Sequence, residues 1–201
     1  DIIPGLPPIT AVINPIIKAA YKPNIEIPTP AKISNPNLLG FSSGQTTAIE
    51  SLYETLGNLE PLPIKIPADI YERRARFEKL YGLPFSGPFL TQWLNAHIKI
   101  LKLHEDWTIA VNLKNGVVGI GAQFFELPIL DQMYLLVHEA AHSVPGAPSH
   151  VNCGPKNVSI SVYQPEFDLH DNPACDRSLS GAYSFQAAFL FELYSQHFSI
   201  E

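Results

Sequence analysis

The apolar positions in the first half of the chain follow a helical spacing. Three segments carry them, at residues 45–56, at residues 68–81 and from Pro88 onward. Gly57 and Gly82 follow the first two segments, at positions where glycine commonly ends a helix. The pattern therefore predicts three helices before residue 100.

The spacing changes to that of strands after this point. Residues 107–113 and 117–125 are rich in β-branched and apolar residues, and Lys114-Asn115-Gly116 between them contains an Asn-Gly turn signal. Residues 98–103 are predicted either as another strand or as a continuation of the preceding helix. We expect a small sheet in the middle of the chain.

Helical spacing returns at Pro128, which opens a segment with a continuous apolar face, and Pro145-Gly146 is expected to end this helix. Residues 143–177 are predicted to be rich in loops, and residues 183–197 to form a last helix. Helices and strands are thus segregated, which indicates the α+β class.

Proline is concentrated at the start of the chain, where 11 of the 19 prolines precede position 68. Long helices and central strands are excluded from such a segment. We expect residues 1–40 to form an extended arm packed on a single domain, residues 41–201. The alternative is a disordered export or spacer segment.

Composition narrows the possible partners. The net charge of −6 argues against nucleic acid as a partner, because a protein that binds phosphates needs basic patches. No apolar run is long enough for a membrane span. The chain begins at Asp1 without an initiator Met, so a leader is expected to have been removed. Few charges, many prolines and a single Met favour a secreted or periplasmic protein.

The predicted helix after Pro128 contains His138-Glu139-Ala140-Ala141-His142. Histidines four residues apart lie on one helix face, where two imidazoles can bind one Zn²⁺. A glutamate directly after the first histidine serves in such sites as general base toward the water on the metal. Glu139 is therefore the predicted catalytic residue, with His138 and His142 as metal ligands.

A catalytic zinc needs a third protein ligand, and the sequence offers four candidates. His150 is preferred because the turn before it can return the chain to the metal and because imidazole suits zinc. Asp176, Glu192 and His170 are the alternatives. Asp176 and Glu192 have a second possible role, as acceptors that orient a metal-bound histidine.

The HExxH motif and the strands before it resemble the zincin superfamily of metallopeptidases. The resemblance covers about residues 107–201 and implies a small sheet, an active-site helix beneath it and a helical remainder. The known subfamilies differ downstream: a metzincin would have Gly and His at the positions of Pro145 and Pro148. A thermolysin-like glutamate at Glu192 would lack its acidic partner, because Gln196 stands four residues on.

The order of the downstream motifs resembles that of a group of secreted bacterial proteins. It runs from His150-x-x-Cys153 through Cys175-Asp176 to Gly181-Ala182-Tyr183. This resemblance supports His150 as the third ligand. Tyr183 is the predicted donor to the carbonyl oxygen of the substrate, with Arg177 as alternative and a purely structural aromatic role as the other possibility.

Cys153 and Cys175 bracket 21 residues. In an exported protein, a disulfide between them would close this loop and contribute about 3 kcal/mol. The alternative is a structural zinc site that combines both cysteines with His150.

Together these features predict a zinc-dependent hydrolase, most specifically a metallopeptidase acting on a peptide or protein substrate. The alternatives are a zinc amidase that acts on cell-wall peptides and a non-catalytic binding protein that keeps the metal for structure. We also expect the strand at residues 117–125 to form a sheet edge that aligns an extended peptide.

Overall fold

The computed structural model describes residues 35–59, 76–105, 109–152, 174–176 and 180–197. These residues belong to one compact unit, residues 32–201. Residues 1–34 of the predicted arm lie outside the described ranges. No helix within those ranges is both long and apolar enough to cross a membrane.

A four-stranded sheet forms the β part of the α+β fold. Its strands are β1 (Asn37–Leu39), β2 (Ile100–Leu103), β3 (Ala110–Asn112) and β4 (Val117–Ile120), in the spatial order β1-β2-β4-β3. The two neighbours of β2 are parallel to it, whereas β3 pairs antiparallel with β4. β1, which the sequence assigned to the arm, is therefore an edge strand of the body, and β3 is the opposite edge.

The turn between β3 and β4 confirms the Asn-Gly signal. Lys114, Asn115 and Gly116 have φ values of 73°, 53° and 76°. Asparagine and glycine tolerate this left-handed region better than most residues. Gly116 is also close-packed, because a Cβ there would lie 3.1 Å from Lys99 Cγ and 3.3 Å from the His97 carbonyl oxygen.

The prediction for residues 117–125 is wrong in two respects: the second half is not a strand, and the strand does not lie at the edge of the sheet. β4 ends at Ile120, and Ala122–Glu126 form a 3-10 helix with local hydrogen bonds such as Phe124 N to Gly121 O (3.2 Å). β4 also has neighbours on both sides. The apolar run extends past the strand because Phe124 stays buried in the 3-10 turn.

Helices α1 (Ser43–Gly57) and α2 (Gly87–His97) confirm the first and third predicted helices. Ser42 and Ser86 cap them by accepting backbone N–H bonds, as serine at this position commonly does. The described part of the second predicted helix, residues 76–81, is helical up to Gly82. β2 follows α2 directly, so residues 98–103 contain a strand and do not continue the preceding helix.

Helix α3 (Ile129–Ala141) carries the motif up to its C-cap His142, and eight of its residues, Met133 and 135–141, are buried. It contacts β3 and the last helix, α4 (Ala182–His197). The helix ends at Ala141, not at Pro145-Gly146, because the chain tightens into i→i+3 bonds from Ser143 N to Ala140 O and from Val144 N to Ala141 O.

Candidate metal centre

The three predicted histidine ligands meet at one point. His138 lies in the last turn of α3, His142 is the C-cap residue directly after this helix, and His150 precedes the short strand β5 (Val151–Asn152). Their Nε2 atoms are 3.0 Å apart for His138–His150, 3.1 Å for His142–His150 and 3.3 Å for His142–His138. Ligand atoms about 2.0–2.1 Å from a tetrahedral zinc are about 3.3–3.4 Å apart, so the spacing fits one metal ion.

The outer nitrogens of two of these imidazoles face buried acceptors. His138 Nδ1 lies 2.9 Å from Gln186 Oε1, and His150 Nδ1 lies 3.3 Å from Asp176 Oδ1. The second distance is long for a hydrogen bond and corresponds to an electrostatic contact. Metal-bound histidines usually have such acceptors, which fix the ring and its tautomer.

These acceptors favour one arrangement of the imidazole protons. A proton on Nδ1 of His138, facing Gln186, and a proton on Nδ1 of His150, facing Asp176, would leave a lone pair on each Nε2 atom. In that arrangement two lone pairs repel each other across the 3.0 Å contact, because no hydrogen lies between the two nitrogens. A cation bound between them removes this repulsion, so the donor set suits a metal better than it suits a hydrogen-bonded cluster.

The surroundings keep two of the rings uncharged. Burial, followed by the neighbouring His150, lowers the pKa of His138 to about 4. Burial, followed by His138 and His150, lowers the pKa of His142 to about 3. Neutral imidazole is the form that binds metal, so both rings are ready to act as ligands at neutral pH.

Asp176 reaches His150 through a second, small sheet. β5 pairs antiparallel with β6 (Ala174–Cys175), with Val151 opposite Cys175, so the residues that flank these strands are brought together. Asp176 is fully buried, and its Oδ2 accepts the Ser184 backbone N–H at 3.1 Å. The sequence offered Asp176 as ligand or as acceptor, and the structure places it at the outer nitrogen of His150.

Gly181 leaves the space that the Asp176 carboxyl group occupies. A Cβ added to Gly181 would overlap that group. Glycine at this position is therefore a steric requirement of the contact between Asp176 and His150. This gives the glycine of the Gly-Ala-Tyr sequence a structural reason.

Glu139 is buried at the same end of α3, with 7% of its surface exposed. Its backbone carbonyl accepts a hydrogen bond of 2.6 Å from Asn112 Nδ2, which also donates to Ser143 Oγ at 2.9 Å. Asn112 ends β3, so this side chain ties the edge of the sheet to the end of the motif helix.

Tyr183 packs against the histidines from the side of α4. It is 2% exposed, and its ring centroid lies 4.7 Å from that of His138 and 4.5 Å from that of His150. The ring therefore forms part of the wall that fixes both imidazoles. That its hydroxyl donates to a substrate stays a prediction.

The other sequence candidates are outside the cluster or outside the described ranges. Glu192 is buried on α4, and the cluster able to hold a metal in the described part of the chain consists of the three histidines alone. His170, Cys153 and Arg177 fall outside the described residues. Sequence reasoning missed Gln186, whose signal was a polar residue within the apolar stretch Phe185 to Phe189.

No family model matches the chain, and no similar protein was found among curated sequences or among solved structures.

Proposed function

We propose that this chain is a zinc-dependent hydrolase that cleaves peptide or amide bonds. The observation that carries the proposal is the convergence of the Nε2 atoms of His138, His142 and His150 to within 3.0–3.3 Å of one another, beside the helix that carries Glu139. His138, His142 and His150 would hold the metal, which leaves a fourth position open as catalytic zinc sites require.

The chemistry divides between the metal and Glu139. A bound Zn²⁺ supplies Lewis acidity, which makes water nucleophilic at neutral pH and polarises a carbonyl. Glu139 takes the proton of the attacking water and delivers it to the leaving amine. Its position directly after His138 and its burial support this role, because a carboxylate with little water around it is a better base.

The zincin architecture is part of the proposal. A small sheet followed by a motif helix supports this part of the proposal, and β3 is an antiparallel edge strand that contacts this helix. The strand proposed to align an extended substrate is accordingly β3, because β4 is enclosed between β2 and β3. An edge strand has free backbone groups that can pair with a peptide.

Export and the disulfide remain predictions that one measurement can test. Cys175 is fully buried on β6, while Cys153 follows Asn152 of β5 outside the described ranges. Mass spectrometry of the alkylated protein, with and without prior reduction, should show no free thiol before reduction and two after it. Two thiols before reduction would contradict the bridge.

The decisive test combines metal analysis with a substitution of the general base. The purified protein should contain about one Zn²⁺ per chain or rebind it after chelation. Glu139→Gln should retain zinc and lose activity on a peptide library by about 10²–10⁴-fold, the usual contribution of a general base. Glu126→Gln, an exposed glutamate on the 3-10 helix, is the matched control and should change neither property.

The remaining outcomes separate the alternatives. A protein that neither retains nor rebinds zinc would contradict the metal site. Bound zinc with Glu139-independent cleavage would contradict the mechanism. Glu139-dependent cleavage confined to cell-wall peptides would favour the amidase, and bound zinc with no cleavage of any substrate would favour a binding protein.

A further inference from the structure

A pocket of about 360 Å³ lies beside His142, one of the three candidate ligands. It is lined by Ala96, His97, Lys99, Lys114, Asn115, Gly116, His142 and Ser143. We call these residues the basic pocket. Its described lining contains two lysines and no acidic side chain, although the chain as a whole carries a net charge of −6.

His142 differs from the other two candidate ligands on its outer side. Gln186 and Asp176 face Nδ1 of His138 and of His150, but within the described ranges no acceptor lies at Nδ1 of His142. Nε2 of His142 faces the other two histidines, and the His142 side chain also lines the basic pocket.

Lys99 and Lys114 both line the basic pocket, as His97 and His142 do. Lys99 Nζ donates to Asn95 O at 2.7 Å, which holds the ammonium at the end of α2 and leaves two of its three N–H groups for another acceptor. The turn with positive φ values holds the backbone of Lys114.

We infer that the basic pocket binds a carboxylate group, which accepts the hydrogen bond from His142 Nδ1 and pairs with Lys99 and Lys114. Metal-bound histidines commonly donate to carboxylates, and a ligand would here supply the acceptor that the protein supplies for the other two rings. The hydrogen bond from His142 takes His142 as a metal ligand and thus rests on the proposed function, whereas the pairing with the two lysines does not require the metal. The carboxylate comes either from a small free anion or from an acidic substrate.

The test follows the side-chain ¹⁵N resonances of His142 during titration at constant ionic strength. Sodium acetate should displace them saturably and neutral acetamide should not, first in the metal-free protein and then in the zinc-loaded one. Lys114→Asn, which keeps a residue that tolerates the turn, and Lys99→Gln should each weaken acetate binding about two- to fivefold, as expected for exposed ion pairs. Lys102→Gln, an exposed lysine of β2 outside the pocket, is the control.

Equal displacement by acetate and acetamide, or equal weakening in Lys102→Gln and Lys114→Asn, would overturn the inference. A short peptide and its carboxy-amidated twin distinguish the two sources. Preference for the free-acid peptide over acetate identifies a substrate carboxylate, and equal affinity identifies a small anion. If the protein binds acetate through the lysines but never takes up zinc, the carboxylate pocket is supported and the proposed function is contradicted. If it binds zinc but not acetate, the pocket is contradicted and the metal site is supported.

Discussion

At the scale of single residues, Gly181 and Asp176 depend on each other. The carboxyl group fills the space that any larger residue at position 181 would take, and from there it faces His150. Interactions of this kind orient a metal ligand without touching the metal, and their loss typically costs 10–100-fold in metal affinity.

Gly181→Ala should therefore weaken zinc binding by about 10–100-fold and lower stability by about 1–3 kcal/mol, because the methyl group displaces a buried carboxylate from its partners. Competition with a chromophoric chelator and urea unfolding measure the two effects. Gly44→Ala is the control: a Cβ there meets nothing within 4 Å, and alanine in α1 should stabilise by up to about 1 kcal/mol. Unchanged zinc affinity in Gly181→Ala would contradict the role of Asp176.

The lowered pKa values of His138 and His142 predict how the metal-free protein responds to acid. Both rings stay neutral in the folded chain down to pH about 4 and about 3, whereas unfolded histidines take up protons near pH 6.5. The unfolded state therefore binds more protons below pH 6.5, and stability falls as pH decreases through this window. Urea unfolding of chelated protein at pH 7 and pH 5 should show the loss. A His138→Gln/His142→Gln variant should lose less stability between pH 7 and pH 5. An equal loss in this variant would mean that other groups cause the pH dependence.

At the scale of elements, the Asn112 side chain hydrogen-bonds the end of β3 to the end of α3. Ser143 N bonds to Ala140 O, so the tightened end of α3 does not use the Glu139 carbonyl for this bond, and Asn112 donates to it instead. The sheet thereby holds the helix end at which the proposed base and ligands are placed.

Asn112→Ala should destabilise the protein by about 1–3 kcal/mol, since it leaves a partly buried carbonyl and the Ser143 hydroxyl without this donor. It should also reduce hydrolysis without removing zinc, because the ligands themselves are unchanged. Thermal unfolding and metal content check both parts. Asn35→Ala, at an exposed position, should alter neither, and an unaffected melting midpoint in Asn112→Ala would contradict the bridging role.

The elements differ in how well the sequence predicts them, for physical reasons. α1, α2 and α3 combine helical spacing with local start or stop residues, so their existence follows from nearby positions. β4 was predicted too long because Phe124 is buried in a 3-10 turn just as it would be in a strand. Gln186 was missed because its role depends on α4 packing across α3, which no local pattern encodes.

At the scale of the whole molecule, the three histidines proposed as ligands are in α3, at its C-cap and just before β5, so a bound metal would link α3 to the small sheet of β5 and β6. A metal that binds the folded chain and not the unfolded one stabilises the fold by mass action. The site is therefore coupled to the stability of the entire compact unit.

Zinc at 100 times its dissociation constant should add about 2.7 kcal/mol and raise the melting midpoint by about 5–10 °C for a chain of this size. Calorimetry of chelated and zinc-reconstituted protein measures the difference. The His150→Ala protein should lose most of this gain, while His104→Ala, a histidine of the described chain outside the cluster, should keep it. A midpoint that zinc leaves unchanged would contradict the site.

The two edge strands of the sheet also differ in their sequence separation from the strands with which they pair. β3 and β4 are joined by a turn of a few residues, and hairpins of this kind close within about 1–10 μs. β1 reaches β2 only after the chain has passed through α1 and α2, so its closure loses much more chain entropy. We expect the hairpin, with Asn112 and Lys114 already placed, to be an early folding unit onto which the motif helix docks, and β1 to join last.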